Sequence, residues 1–84
     1  MNEHKYQAML LGSDHQLAES LMQAVRQDGG GLGVVPQAEE ALKWLHGHAP
    51  DIVFLDLQST GEECLNFLRQ LKQHPLPAPV FSIG

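Results

Sequence analysis

Asp56 is the residue of this sequence best placed to carry chemistry. It follows the apolar run at residues 52–55, and four consecutive apolar residues are typical of a strand buried on both faces of a parallel sheet. Open α/β sheets bind their ligands at the carboxyl ends of such strands. Because a buried charge is costly to desolvate, Asp56 requires a metal ion, hydrogen-bond donors or water. Its position alone leaves two interpretations open, a functional carboxylate and a hydrogen-bonded residue at the strand end.

Ser13 and Asp14 form a second polar site, shortly after another apolar run. Either side chain can cap the helix predicted to follow, and Ser13 with Gln16 fits the capping-box spacing. Ser13 lacks the Gly-x-Ser-x-Gly context of a serine nucleophile, so we interpret it as a cap. Asp14 keeps two interpretations, a helix cap and a metal ligand.

The glycine, histidine and cysteine residues that could suggest a ligand site are better explained structurally. Residues 29–31 are glycines that follow a helical pattern and precede a strand, whereas phosphate-binding glycines follow a strand and open a helix. His46 and His48 lie around a helix end and are not spaced to ligate one metal ion. Cys64 is the only cysteine, which excludes an internal disulfide and favours a reduced, packed thiol.

Strand-like and helix-like stretches alternate along the chain. Strands are expected at residues 6–11, 32–35, 52–56 and 80–83, and helices at residues 14–28, 36–47 and 61–73. Connections of helical length predict parallel pairing with right-handed crossovers, hence a doubly wound parallel α/β sheet. In a flavodoxin-like strand order of 2-1-3-4, the first and third strands are neighbours. Asp14 and Asp56 would then lie at one crevice.

The apolar spacing also predicts which helical faces are buried. The third helix is expected to face the core with its leucines, Leu65, Leu68 and Leu71. Phe67 lies off this stripe, as Trp44 does in the second helix, so both aromatic side chains are expected to be partly exposed. Thr60 and Glu63 fit a capping box at the start of the third helix.

The composition bounds the class of protein. Eighty-four residues make a single domain at most, and 43% hydrophobic with 18% charged residues argues against disorder. Ten acidic against five basic residues, a formal charge of -5, argue against direct nucleic-acid binding. No apolar run approaches the ~20 residues that a membrane helix needs, and the N-terminus does not look like a signal peptide. We therefore expect a cytoplasmic protein with no membrane segment.

The sequence resembles the receiver domain of bacterial two-component response regulators. The resemblance is carried by four stretches, residues 9–15, 50–57, 65–72 and 79–84. Together the 84 residues correspond to about the first two thirds of a receiver. The resemblance implies that residues 1–84 form a single partial receiver domain, with a flavodoxin-like (CheY-like) sheet truncated after the fourth strand.

The resemblance also implies a site and a reaction. Asp56 would accept a phosphoryl group from a histidine kinase or phosphotransfer protein in a two-component phosphorelay, and the domain itself would not be an enzyme. Asp14, Asp56 and the backbone carbonyl of Gln58 would hold Mg²⁺, a cation that prefers hard oxygen ligands. The ion would offset the repulsion between the Asp56 carboxylate and the incoming phosphoryl group.

Several positions depart from the receiver pattern. Ser13 stands where receivers usually carry an acid, which should weaken Mg²⁺ binding. Ser59 and Thr60 replace the usual Met-Pro pair, and Gly84 aligns with the Thr or Ser that ends the fourth strand. The lysine that follows the fifth strand of receivers has no counterpart in these 84 residues. The resemblance is therefore to an atypical or degenerate receiver.

Two alternatives stand beside phosphorylation of Asp56. One is a pseudo-receiver that acts as a protein-interaction or dimerisation domain without phosphorylation. The other is a small flavodoxin-like ligand-binding or hydrolytic domain that uses the Asp14/Asp56 crevice. Because the fourth strand would end the sheet as an exposed apolar edge, we expect the chain to dimerise or to exchange elements to cover it, unless it belongs to a longer protein. An output domain beyond the C-terminus is a separate expectation.

Overall fold

The chain folds into a four-stranded parallel sheet with helices between the strands. A computed structural model describes residues 5–73 and 78–83. Its elements are, in chain order, β1 (Gln7–Leu11), α1 (His15–Gln27), β2 (Gly31–Val35), α2 (Ala38–Gly47), β3 (Ile52–Asp56), α3 (Leu57–Gln73) and β4 (Val80–Ile83). The strands lie in the order β2-β1-β3-β4, and every pair is parallel. The predicted flavodoxin-like α/β fold and its strand order are thus confirmed.

The main core lies on one face of the sheet, beneath α2 and α3. In the register of β1 with β3, Met9 lies opposite Val53 and Leu11 opposite Leu55. These side chains share a face because strand residues alternate between the two faces of a sheet. The buried cluster on this face consists of Met9, Leu11, Val35, Ala38, Ala41, Val53, Leu55, Cys64 and Phe67. The buried residues Ala8 and Leu10 belong to the opposite face of β1.

Glycines end α1, as the sequence predicts. Gly29 has a φ of +88°, a left-handed conformation that favours glycine. Its N–H donates to the carbonyl of Arg26 at 3.0 Å, and the N–H of Gly30 donates to the carbonyl of Val25 at 2.8 Å. These bonds satisfy carbonyl groups at the end of the helix and turn the chain into β2.

The buried face of α3 differs from the predicted one by about one residue. Cys64 and Phe67 are fully buried, and Leu71 packs partly against the core. Leu65, by contrast, is 55% exposed, and Leu68 is also exposed. Residues 64, 67 and 71 repeat at intervals of three and four, so they form a helical stripe adjacent to that of the leucines. The prediction for Leu65 and Leu68 was wrong. It took the leucines as the buried stripe, whereas the buried stripe includes Phe67.

The two aromatic predictions have different outcomes. Phe67, expected to be partly exposed, has no exposed surface. Trp44 is half-buried, packs against the core, and covers Gly33 of β2. A Cβ atom on Gly33 would lie 2.7 Å from the indole Nε1 of Trp44. A side chain at position 33 would therefore displace the indole ring.

Glu63 caps a different helix from the one that the sequence predicts. Its Oε1 accepts a hydrogen bond from the backbone N–H of Ala38 at 2.7 Å, at the start of α2. Gln37, the N-cap residue of α2, makes no side-chain capping bond. Thr60 has non-helical backbone angles (φ -153°, ψ 55°) that separate the first turn of α3 from the rest of the helix. The capping-box prediction fails because Glu63 supplies a tertiary cap to α2, where a negative charge is favourable.

β4 forms one edge of the sheet and is largely exposed. Phe81 is 51% exposed and lies beside Phe54, with ring centroids 6.3 Å apart. The expected exposed apolar edge is present, whereas the homodimer and the output domain stay predictions. Gly84, which was compared with the switch Thr or Ser of receivers, lies outside the described residues. Among the described helices, none is both long and apolar enough to cross a membrane.

The observed face of α3 predicts different costs for two truncations. Phe67→Ala should lower the free energy of unfolding by about 3–5 kcal/mol, because it leaves a cavity in the core. Leu65→Ala should change it by no more than about 0.5 kcal/mol, because the side chain is mostly in solvent. Urea unfolding followed by the fluorescence of Trp44, the only tryptophan, measures both changes. Equal losses in the two variants would contradict the observed face.

Candidate functional site at the carboxyl ends of β1 and β3

Asp56 is the last residue of β3 and its side chain is almost inaccessible. It is 3% exposed, and it is the one charged residue among the buried residues that the structure describes. The backbone of Gly12, which follows β1, lies directly against it. A Cβ atom on Gly12 would lie only 2.8 Å from the Cβ of Asp56. The lack of a side chain at position 12 therefore allows the two strand ends to approach closely.

Three donors satisfy the carboxylate of Asp56. Its Oδ1 accepts hydrogen bonds from the backbone N–H groups of Gln58 at 3.2 Å and Ser59 at 3.4 Å. Its Oδ2 accepts the hydroxyl of Ser59 at 2.6 Å. This short bond has the length typical of a hydroxyl that donates to an ionised carboxylate. The donors replace the water that burial removes from Asp56.

Ser59 also binds the loop that follows β1. The backbone N–H of Ser13 donates to Ser59 Oγ at 3.0 Å, and the Ser13 hydroxyl donates to the Ser59 carbonyl at 3.2 Å. We call Ser13, Ser59 and Asp56 the Ser59 network. Ser13 thus binds Ser59 and does not cap α1, which corrects its sequence interpretation. Sequence analysis noted Ser59 only as a departure from the receiver pattern and missed its role.

Asp14 acts as the N-cap of α1. Its Oδ1 accepts hydrogen bonds from the backbone N–H groups of Gln16 at 3.0 Å and Leu17 at 3.4 Å. These donors lie two and three residues after the acid, the same spacing as the two backbone donors of Asp56. Asp14 follows β1 and Asp56 ends β3, so both acids lie at the carboxyl end of the sheet. Each carboxylate accepts from the first turn of the helix that follows it.

In the arrangement present, protein donors compete for the oxygens that a magnesium ion would use. Mg²⁺ prefers oxygen ligands in octahedral geometry. Oδ1 of Asp56 accepts two hydrogen bonds and Oδ2 accepts one, which takes three of the about four acceptor positions of a carboxylate. Asp14 is exposed and accepts from α1. Within residues 5–73 and 78–83, no group of three or more His, Cys, Asp or Glu residues could hold a metal ion. The magnesium site predicted from Asp14, Asp56 and the Gln58 carbonyl stays a prediction. An ion that binds an oxygen used here would have to replace its hydrogen bond.

A shallow groove lies beside this site, at the carboxyl ends of β1 and β2. Its volume is about 290 Å³, and it is lined by Gly12, Ser13, Asp14, His15, Ala18, Val34 and Pro36. Asp56 is not among the lining residues. The groove thus contains one of the two acids of the predicted crevice and not the other.

Cys64 lies beneath the site as a packed thiol. It is fully buried and free, and its Sγ lies 3.7 Å from the backbone carbonyl of Asp56, to which it donates a weak hydrogen bond. Burial, with smaller contributions from the charges of Asp56 and Glu63, raises the pKa of the Cys64 thiol. The predicted packed thiol is confirmed.

Comparison with known proteins gives two groups of sequence relatives. The chain is 32% identical over 78 residues to protein-glutamate methylesterase/protein-glutamine glutaminase 1 of Cereibacter sphaeroides, which covers 88% of this chain and 21% of that protein. It is 29% identical over 94 residues to response regulator UvrY of Escherichia coli K12, which covers 90% of this chain and 43% of that protein. No family model matches the sequence.

Solved structures give the same architecture. The pseudo-receiver domain of the CikA protein superposes with a TM-score of 0.83 at 21% identity, covering 94% of this chain and 69% of that one. A CheY-like receiver domain from Methylobacillus flagellatus superposes with a TM-score of 0.75 at 22% identity, covering 92% and 67%. The chain has the fold of a receiver domain. It spans less than half the length of the two sequence relatives named above.

The raised pKa of Cys64 predicts that the folded protein loses stability in alkali. Below the ordinary thiol pKa of 9.0, the folded and unfolded chains both bind the proton and the full stability is present. As the pH rises above that value, the unfolded chain ionises first, so the free energy of unfolding falls until the folded thiol also ionises.

Cys64→Ala provides the matched control for this pH dependence. The variant should be less stable at neutral pH but should lose less stability between about pH 8 and pH 10. Tyr6, whose pKa is raised by burial and by its bond to Asp28, is present in both proteins and cancels in the comparison. Urea unfolding at several pH values measures the two slopes, and identical slopes would refute the assignment to Cys64.

Proposed function

We propose that this receiver-type domain is a signalling module that acts through protein contacts, without phosphorylation of Asp56 and without enzymatic turnover. The observation that carries the proposal is the closed environment of Asp56. The side chain is 3% exposed, and both of its oxygens accept hydrogen bonds from the chain. In this proposal Asp56 is a structural acceptor that holds the end of β3.

Phosphoryl transfer makes demands that this environment does not meet. An attacking oxygen must approach phosphorus in line with the leaving group, and cations must offset the charge of the reacting groups. The Ser59 hydroxyl lies 2.6 Å from Asp56 Oδ2, on one of the two oxygens that would attack. The backbone of Gly12 packs against the same side chain. A donor phosphate that approaches Oδ2 would have to displace the hydroxyl of Ser59.

Protein contact is supported by apolar side chains outside the core. Val80 and Phe81 are exposed on β4, and this strand has a hydrogen-bonded neighbour on one side only, β3. An exposed apolar edge strand can pair with another chain. We propose cytoplasmic partners from a two-component pathway, such as an output domain or a second copy of the chain, and neither nucleic acid nor membrane.

Phosphorylation of Asp56 by a histidine kinase or phosphotransfer protein is the second candidate function. The position of Asp56 favours it, since the carboxyl end of β3 is where the receiver resemblance places the phosphoacceptor. In this candidate, Asp14, Asp56 and the Gln58 carbonyl would bind Mg²⁺. Binding through Asp56 Oδ2 would compete with the hydroxyl of Ser59, and binding through Asp14 Oδ1 would compete with the α1 amides.

A titration with Mg²⁺ and beryllofluoride, a phosphoryl mimic, distinguishes the two candidates. We expect no saturable change in the amide resonances of residues 12–14 and 56–59, because the acceptor oxygens are already occupied. Asp56→Asn is the test variant. Asp51→Asn is the matched control, because Asp51 is an exposed acid at the other end of β3.

Saturable shifts that are retained in Asp51→Asn and lost in Asp56→Asn would contradict the proposal and favour the phosphoacceptor. Turnover of an added phosphate ester, abolished in Asp56→Asn, would favour a hydrolytic domain instead. Partner binding that is the same for the wild type and Asp56→Asn would agree with a phosphorylation-independent module.

A further inference from the structure

We infer that Ser59 is a positioning residue, which holds the carboxylate of Asp56 and joins the β3–α3 junction to the β1–α1 loop where a cation would otherwise join them. The inference rests on the proposed function in one respect, because it treats Asp56 as a structural acceptor. It adds that the hydroxyl of Ser59 holds Asp56 in place by donating to it while accepting from Ser13.

The hydrogen-bond directions at Ser59 are fixed by the number of available protons. A serine hydroxyl has one proton to donate, and Asp56 Oδ2 at 2.6 Å is a carboxylate oxygen that can only accept it. The Ser13 backbone N–H can only donate, and it donates to the same hydroxyl oxygen at 3.0 Å. The hydroxyl therefore accepts from one loop and donates to the other, so its orientation is determined.

Ser59 links two segments that are distant in sequence. Positions 13 and 59 are 46 residues apart, and two hydrogen bonds connect them. A metal ion between two carboxylates would connect the same two strand ends by drawing both acids toward itself. Here Asp14 accepts from α1, so the connection from the β1–α1 loop is made by Ser13.

The length of the serine side chain suits this position. Ser59 Oγ would lie 3.5 Å from a Cβ atom on Gly12, while Asp56 Oδ2 would lie 3.4 Å from it. The hydroxyl and the carboxylate thus pack side by side against the backbone of Gly12. Removing the hydroxyl would leave Oδ2 without a donor from residues 5–73 and 78–83, while Oδ1 keeps its two amides. An incoming cation or water would then be required at Oδ2.

A double-mutant cycle between Ser59→Ala and Asp56→Ala tests this inference. Ser59→Ala should lower the folding equilibrium constant about tenfold or more, because a buried carboxylate loses its hydroxyl donor. In the Asp56→Ala background the same substitution should cost clearly less, since the partner is already absent. Ser59→Thr keeps the hydroxyl and should restore most of the loss. Ser82→Ala, an exposed serine on β4, is the matched control and should stay within about twofold.

Amide hydrogen exchange provides a second readout that does not need a folded Asp56→Ala protein. The Ser13 amide should exchange faster in Ser59→Ala than in the wild type or Ser59→Thr, because it loses its acceptor. In addition, millimolar Mg²⁺ should raise the melting temperature of Ser59→Ala more than that of the wild type, since Oδ2 is then open.

The outcomes separate this inference from the proposed function. Ser59→Ala that behaves like Ser82→Ala, or an unchanged Ser13 exchange rate, would overturn the role of Ser59. Neither readout uses a phosphoryl mimic or a partner. If the wild type binds beryllofluoride while the cycle shows strong coupling, the proposed function fails and the role of Ser59 stands.

Discussion

A carboxylate buried at the end of a central strand has to be provided with donors, and this requirement organises the edge of the sheet where β1 and β3 end. Asp56 receives two amides from its own chain segment and one hydroxyl from Ser59. The hydroxyl in turn accepts the Ser13 N–H. All three donors of Asp56 come from the β3–α3 junction, and the Ser59 hydroxyl connects them to the β1–α1 loop by accepting from Ser13, so one hydroxyl links the buried charge to both segments. The absence of a side chain at Gly12 makes this close approach possible.

Two other acids also accept backbone N–H groups at the start of a helix. Asp14 accepts the free N–H groups at the start of α1, and Glu63 reaches from α3 to the first amide of α2. Each acid lies where the partial positive charge of a helix N-terminus stabilises it. Two acids at the carboxyl end of a parallel sheet therefore do not by themselves make an ion site. Here helix amides and one serine hydroxyl already donate to these two acids.

The sequence patterns predicted the fold well because they are local. Alternating apolar strands and amphipathic helices gave the element order, and chain connectivity restricted the strand order. The buried face of α3 was predicted wrongly because Leu65 is apolar but lies one position from the stripe of Cys64 and Phe67. Ser59 could not be recognised as a ligand of Asp56 and Ser13, because a hydroxyl has no sequence pattern that identifies a partner 46 residues away. Its one signal was that it replaces a methionine of the receiver pattern, three residues after Asp56.

The receiver fold is thus combined with a site in which the chain itself supplies hydrogen-bond donors to the buried acid, and the fold alone does not decide whether this acid takes part in phosphoryl transfer. The most direct test is a crystal structure of the wild-type protein grown with magnesium chloride and beryllofluoride. Ser59 Oγ should remain within hydrogen-bond distance of Asp56 Oδ2, as at 2.6 Å here, and Asp14 should still cap α1. A magnesium ion bound by Asp14 and Asp56, with beryllofluoride on the Asp56 carboxylate and Ser59 turned away, would contradict this assignment.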